Sequence, residues 1–271
     1  MVLLATSAQR AGRPVDRTVG GTPVRVFGGA FTAPLGYLIS GVGAASFMLY
    51  GLLDLGWHSL YGFDAVLNSP PHVALFLSIS ITMVGSVIVF AAARDQRWGQ
   101  VGALLAIPIL ITFTPITTKA FDGLPLPFNA GTAGTVFFSV MLLILGAGIL
   151  RRPGAAVALA AVLGALQGLL WWFSPWAAYA YAGAVGLPLR DGLTAQPPDL
   201  PGAMPMFLIL AAAAAIELMF WYARTRRLDA KTVLPVVGAA AGLVFGALGG
   251  FLAGRFTTML RALAPVTEDL R

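Results

Sequence analysis

The sequence predicts an all-α integral membrane protein, a polytopic bundle of about seven transmembrane helices with a cytoplasmic N-terminus. Three observations predict it. The 271 residues are 58% hydrophobic and only 10% charged, against about 45–50% and about 25% in an ordinary soluble domain. Apolar runs long enough to cross a bilayer recur along the chain, and positive residues gather in alternate segments between them. At roughly 20 apolar residues per span, seven spans occupy about half of the chain, which leaves short loops and no room for a large soluble domain.

The runs predict helices near 31–60, 71–93, 98–118, 133–150, 155–182, 204–223 and 233–254. Runs of this length are too long for single strands and lack the alternation of a lipid-facing barrel strand. Residues 1–30 are expected to form a basic cytoplasmic arm, 31–254 the transmembrane helical domain and 255–271 a C-terminal tail. The apolar start, Met1 to Ala5, is far too short for a signal-peptide core, and its charges Arg10, Arg13 and Arg17 follow rather than precede it.

Cytoplasmic segments are enriched in Lys and Arg. Arg10, Arg13, Arg17 and Arg25 precede the first span, Arg94 and Arg97 follow the second, Arg151 and Arg152 follow the fourth, and Arg224, Arg226, Arg227 and Lys231 follow the sixth. These hold 12 of the 17 positive residues, and the opposite loops hold only Lys119 and Arg190. Arg255, Arg261 and Arg271 in the tail make the crossing of the last helix an open question. The expected location is a bacterial inner membrane. Scattered in this way, the net charge of +6 does not form the basic face that nucleic acid requires.

With no cysteine, disulfides, iron–sulfur clusters and every thiolate metal site are excluded. The two histidines, His58 and His72, lie close together in sequence. Asp54 and His58 are four residues apart, which on a helix places them on one face one turn apart. His72 directly follows Pro70 and Pro71, and proline favours the first turn of a helix, so His72 should open the second span. Two imidazoles and a carboxylate at the outer edge of a helix pair make a divalent-metal site that suits copper, iron or zinc. Trp57 has the ring typical of the bilayer interface, and Asp64 is placed to orient an imidazole. The competing reading makes these groups solvated or helix-capping.

Elsewhere, Glu217 inside the sixth span is a functional candidate because an intramembrane carboxylate is costly. Pairing with Gln167 or with Arg224 is the structural alternative. Glycines 238, 242, 246, 250 and 254 form a stripe on the last span that lets another helix approach, within the chain or from a second subunit. Lys119 and Asp122 read as an exposed ion pair or as groups lining a pathway. Trp171, Trp172, Phe173 and Trp176 with Tyr179 and Tyr181 read as an interfacial belt, and Pro108 and Pro115 should kink the third span.

The loop Asp54-x3-His58, with Trp57 before the histidine, then Asp64 and Pro70-Pro71-His72, resembles the C subunit of the copper-containing membrane monooxygenases, the family of particulate methane and ammonia monooxygenases. The resemblance covers about 20 residues and extends to the basic arm and overall length. It implies copper held by Asp54, His58 and His72, and partner membrane subunits in a complex that oxidises a small apolar substrate. The chain departs from the family after the third span, where an Asn and two further histidines contribute to a second copper site. Here stand Thr117, Thr118, Lys119, Asp122 and Asn129, with no histidine after His72, so that second site is absent or rebuilt without imidazole. The other readings are a non-catalytic copper- or zinc-handling membrane protein, and a small-solute transporter built on Glu217 and Gln167.

Overall fold

The computed structural model describes residues 1–62, 69–118, 130–186, 206–229, 232, 233 and 235–238. It is mostly helical, and four helical segments, Leu35–Tyr61, Pro70–Ala92, Arg97–Thr118 and Ala155–Val185, are long and apolar enough to cross a membrane. The chain begins with α1 (Val2–Arg10) and a two-stranded hairpin, β1 (Pro23–Val26) and β2 (Phe31–Pro34). The bundle follows as α2 (Leu35–Tyr61), α3 (Pro70–Ala92), α4 (Arg97–Thr112), α5 (Thr114–Thr118), α6 (Ala130–Leu150), α7 (Ala155–Val185) and α8 (Met206–Thr225). Helices α2 and α3 are about 40 and 35 Å long at 1.5 Å per residue, sufficient for a hydrocarbon core of about 30 Å.

The N-terminal arm is a folded unit, which apolar periodicity did not announce. The antiparallel strands pair Pro23 with Pro34 and Val26 with Phe31. They are joined by a tight connection in which Gly28 and Gly29 take φ of 63° and 98°, a region glycine enters at little cost. Thr6 of α1 clamps the hairpin, accepting from the Thr32 amide at 2.9 Å and donating to the Thr32 carbonyl at 3.1 Å. Residues 31–34, expected to open the first span, are therefore strand, and the helix begins at Leu35.

The third expected span is helical over Arg97–Thr118, and of its two prolines only Pro115 lies beside an interruption. Pro108 is accommodated inside α4, and the helix is interrupted only at Phe113, which keeps near-helical geometry with φ −88° and ψ −11°. Pro115 has no N–H to donate to the Ile111 carbonyl, and Thr114 Oγ1 donates there instead at 2.8 Å. The core lies among α4, α6, α7 and α8, with Ile107, Ile111, Leu143, Ile144, Leu159, Leu163 and Ile216 fully enclosed. Of the glycine stripe, Gly238 is buried, and residues 242 to 254 lie outside the described residues.

Helix α2 stands apart from this core, and its only fully buried residues are Gly36 and Gly43. Both sit where α3 crosses. A Cβ on Gly36 would come within 2.9 Å of the Gly85 carbonyl, and one on Gly43 within 2.6 Å of the Thr82 amide. A Cβ on Gly85 would meet the Ser40 amide and the Gly36 carbonyl. Ser40 Oγ donates across the seam to the Thr82 carbonyl at 3.0 Å. In lipid, where apolar side chains gain nothing by leaving the solvent, such close backbone approach with an interhelical hydrogen bond is what joins two helices. The seam fixes the α2–α3 pair on which the histidines stand.

Candidate metal centre

Asp54 and His58 lie one turn apart near the end of α2, and His72 lies in the first turn of α3. The structure brings all three together. His58 Nε2 is 3.6 Å from Asp54 Oδ2, and His72 Nε2 is 3.5 Å from Asp54 Oδ1. The imidazole centroids are 5.8 Å apart at 56°. One donor atom from each residue lies within 4.8 Å of the others. The side chains are about a fifth to a quarter exposed, so the cluster is sheltered yet reachable.

The outer nitrogens of both rings are already engaged. Helix α2 ends at Gly62, whose φ of 77° turns the chain so that its carbonyl lies 3.0 Å from His58 Nδ1. A carbonyl only accepts, so Nδ1 carries the proton, and in the neutral ring Nε2 presents its lone pair towards Asp54. His72 is held from the other helix, with its Nδ1 3.0 Å from Ser69 Oγ. Ser69 is the N-cap of α3, and in an ordinary helix its hydroxyl would satisfy amides of the first turn. Here Pro71 removes the second-position amide and Ser69 makes no side-chain cap bond; its hydroxyl meets the imidazole instead.

The His58 Nε2 lone pair and His72 Nε2, whose ring meets a hydroxyl able to accept or donate, thus stand on either side of the carboxylate at 3.6 and 3.5 Å, and among the described residues the buried Asp54 Oδ1 has no hydrogen-bond partner. A buried, unsatisfied carboxylate oxygen costs about 1–3 kcal/mol or more. A cation among these atoms would give the Asp54 carboxylate a counter-charge and take a nitrogen ligand from each ring. Ligand atoms at about 2.0–2.2 Å from one ion lie up to about 4 Å apart, so the cluster needs only a small contraction to hold a first-row divalent ion. The donor set fits.

The importance of Ser69 was missed in the sequence, although Ser-Pro-Pro-His contains the signal. Ser69→Ala is expected to weaken metal binding about 10–100-fold, the usual loss when the hydrogen-bond partner of a ligating imidazole is removed. Equilibrium competition with a chelator of known affinity measures it, and an unchanged affinity would show that Ser69 does not orient the ring.

Trp57 packs on Tyr61 with ring centroids 4.5 Å apart and makes no hydrogen bond to the three residues among those described. Asp64 lies outside the described residues, as do Lys119, Asp122 and Asn129. Where the resembling family has its second histidine site, Thr118 is buried, and its hydroxyl shares a 2.6 Å hydrogen bond with Thr135.

Glu217 has a structural position. Its carboxylate accepts from the Gly154 amide at 2.8 Å and the Ala156 amide at 2.7 Å, capping the N-terminus of α7 from the neighbouring helix. Arg224 Nη2 stands 3.8 Å away. The carboxylate meets the positive end of the α7 dipole. Gln167 is about 16 Å further along α7 at helical rise, so the Glu217–Gln167 centre considered from sequence is not formed. Glu217→Ala is expected to lower stability by about 2 kcal/mol through loss of the cap, read as a fall in thermal midpoint. An unchanged midpoint would remove the capping role.

Compared with protein-family models, with curated proteins and with solved structures, the chain gives no match.

Proposed function

We propose that this chain is a metal-binding membrane subunit in which Asp54, His58 and His72 hold one divalent ion at the end of the α2–α3 helix pair. The observation that carries the reading is the convergence of three donor atoms within 4.8 Å, with each ring fixed through its other nitrogen. Copper is the metal of choice because the local pattern resembles the copper monooxygenase C subunit, and this donor set also accepts zinc or iron. In the full reading, the chain has about seven spans with its N-terminus in the cytoplasm of a bacterial inner membrane, and the site faces outward.

Bound copper would supply redox chemistry for oxidising a small apolar molecule drawn from the bilayer, in a complex with partner membrane subunits. The chain's own residues have simpler tasks. Gly62 and Ser69 hold each imidazole with Nε2 turned inward, and Asp54 provides negative charge on both sides of the gap. The absence of any histidine beyond His72 favours a second reading, in which the same ligands store or deliver copper or zinc without turnover.

Metal analysis and copper EPR on the detergent-purified chain test the proposal. About one copper per chain, with hyperfine coupling to imidazole nitrogen, is the expected result. No stoichiometric metal after copper loading would overturn it.

A further inference from the structure

At the far end of α3 from His72 stands a charge that the described residues do not balance. Arg94 follows the helix in the turn 93–96 and is only 7% exposed. Its Nε is buried without a hydrogen-bond partner, and among the described residues its guanidinium makes no ion pair. The turn is held firmly. Gln100 Nε2 donates to the Arg94 carbonyl at 2.9 Å, and Gly99 leaves no space against Ala93.

Nearby electrostatics increase the imbalance. Burial, reinforced by the positive charge of Arg151 beyond the end of α6, pulls the Arg94 proton affinity below the usual arginine range, and the neighbouring Asp95 only partly offsets this. Arginine nevertheless stays charged in proteins. A buried charge with no partner is strongly destabilising, so the buried Arg94, with the exposed Arg151 acting on it from nearby, calls for an anion that the two can share. Guanidinium forks match phosphate oxygens in pairs.

Depth identifies the setting. His72 and Arg94 are separated by 22 positions on or just beyond one helix, about 33 Å at helical rise, which is close to the thickness of the hydrocarbon core. With the histidine cluster at one interface, Arg94 reaches the opposite one, where lipid phosphates lie.

We propose that Arg94 and Arg151 form a binding site for a phosphate group, such as that of an acidic phospholipid head group at this rim of the bundle. The site is independent of the metal centre.

The full-length chain in detergent is tested by native mass spectrometry and thermal unfolding with phosphatidylglycerol, phosphatidylcholine or inorganic phosphate at matched ionic strength. Phosphatidylglycerol is expected to bind preferentially and to raise the thermal midpoint. Arg151→Gln, at an exposed position, keeps the fold and should bind this lipid about fivefold more weakly, the usual weight of one basic residue at a membrane surface. Arg94→Gln should lose at least as much. A shift that depends on Arg94 and is reproduced by inorganic phosphate alone identifies free phosphate as the source of the group, and one seen only with lipid identifies the head group. Equal binding of both lipids together with no effect of phosphate would overturn the proposal, as would wild-type phosphatidylglycerol binding in both variants.

Discussion

Replacing either His58 or His72 by alanine is expected to weaken copper binding by more than about 100-fold, beyond the 10–100-fold loss typical when only a supporting hydrogen bond is removed. The reason is the small number of donors. Three side chains converge, and removing one leaves a carboxylate and a single ring, contributed by α2 alone in His72→Ala and by both helices in His58→Ala. Both rings are partly exposed, so their loss leaves no large core cavity, and the variants should purify like the parent. Asp54→Asn keeps the shape but removes the negative charge and should weaken binding by a comparable factor. Metal content after dialysis and copper EPR measure all three. Wild-type copper retention in both histidine variants would show that the ion, if bound, lies elsewhere.

The second large effect is expected far from any ligand. Gly85→Leu should cost more than about 3 kcal/mol, above the usual 1–3 kcal/mol of an overpacked core, because the new side chain meets the Ser40 amide and the Gly36 carbonyl. Backbone cannot rotate aside as a side chain can. The helices must separate, and metal binding should fall with all three ligands still present. Gly85→Ala gives a milder form that stays purifiable, and Gly41→Leu is the control, since nothing lies within 4 Å of that position. Thermal unfolding and copper affinity should fall together in the Gly85 series and remain unchanged in the Gly41 variant. A Gly85→Ala protein with parental midpoint and affinity would show that the seam does not set the site.

The long apolar helices were legible because their hydrophobic runs have no other solution in a bilayer. Asp54 and His58 were legible because a four-residue spacing on a helix has one geometric meaning, and His72 because two prolines mark a helix start. What escaped the sequence depends on contacts between distant segments. The hairpin at 23–34 has strands of only four residues, too short to announce themselves by periodicity. Glu217 looked like a buried functional carboxylate because nothing local shows that the amides of Gly154 and Ala156 are waiting for it. The seam of Gly36, Ser40 and Gly43 against Ser78, Thr82 and Gly85 does have a small-residue rhythm, but it is less regular than the stripe at 238–254. The roles of Gly62 and Ser69 became visible only once both rings were placed.

The seam and the histidine cluster occupy different levels of the same helix pair, and this makes the pair a lever. From Gly43 to His58 is about 22 Å along α2. A change of about 5° in the angle between α2 and α3, pivoting where the glycines touch, shifts the facing ligands by about 2 Å, roughly ten times the ±0.2 Å that a metal site tolerates. Whatever presses on the long exposed flank of α2, be it bilayer thickness or another helix, is thereby magnified at Asp54. For an ion bound as proposed, affinity would become a gauge of helix tilt, and the seated ion would brace the two helices against it.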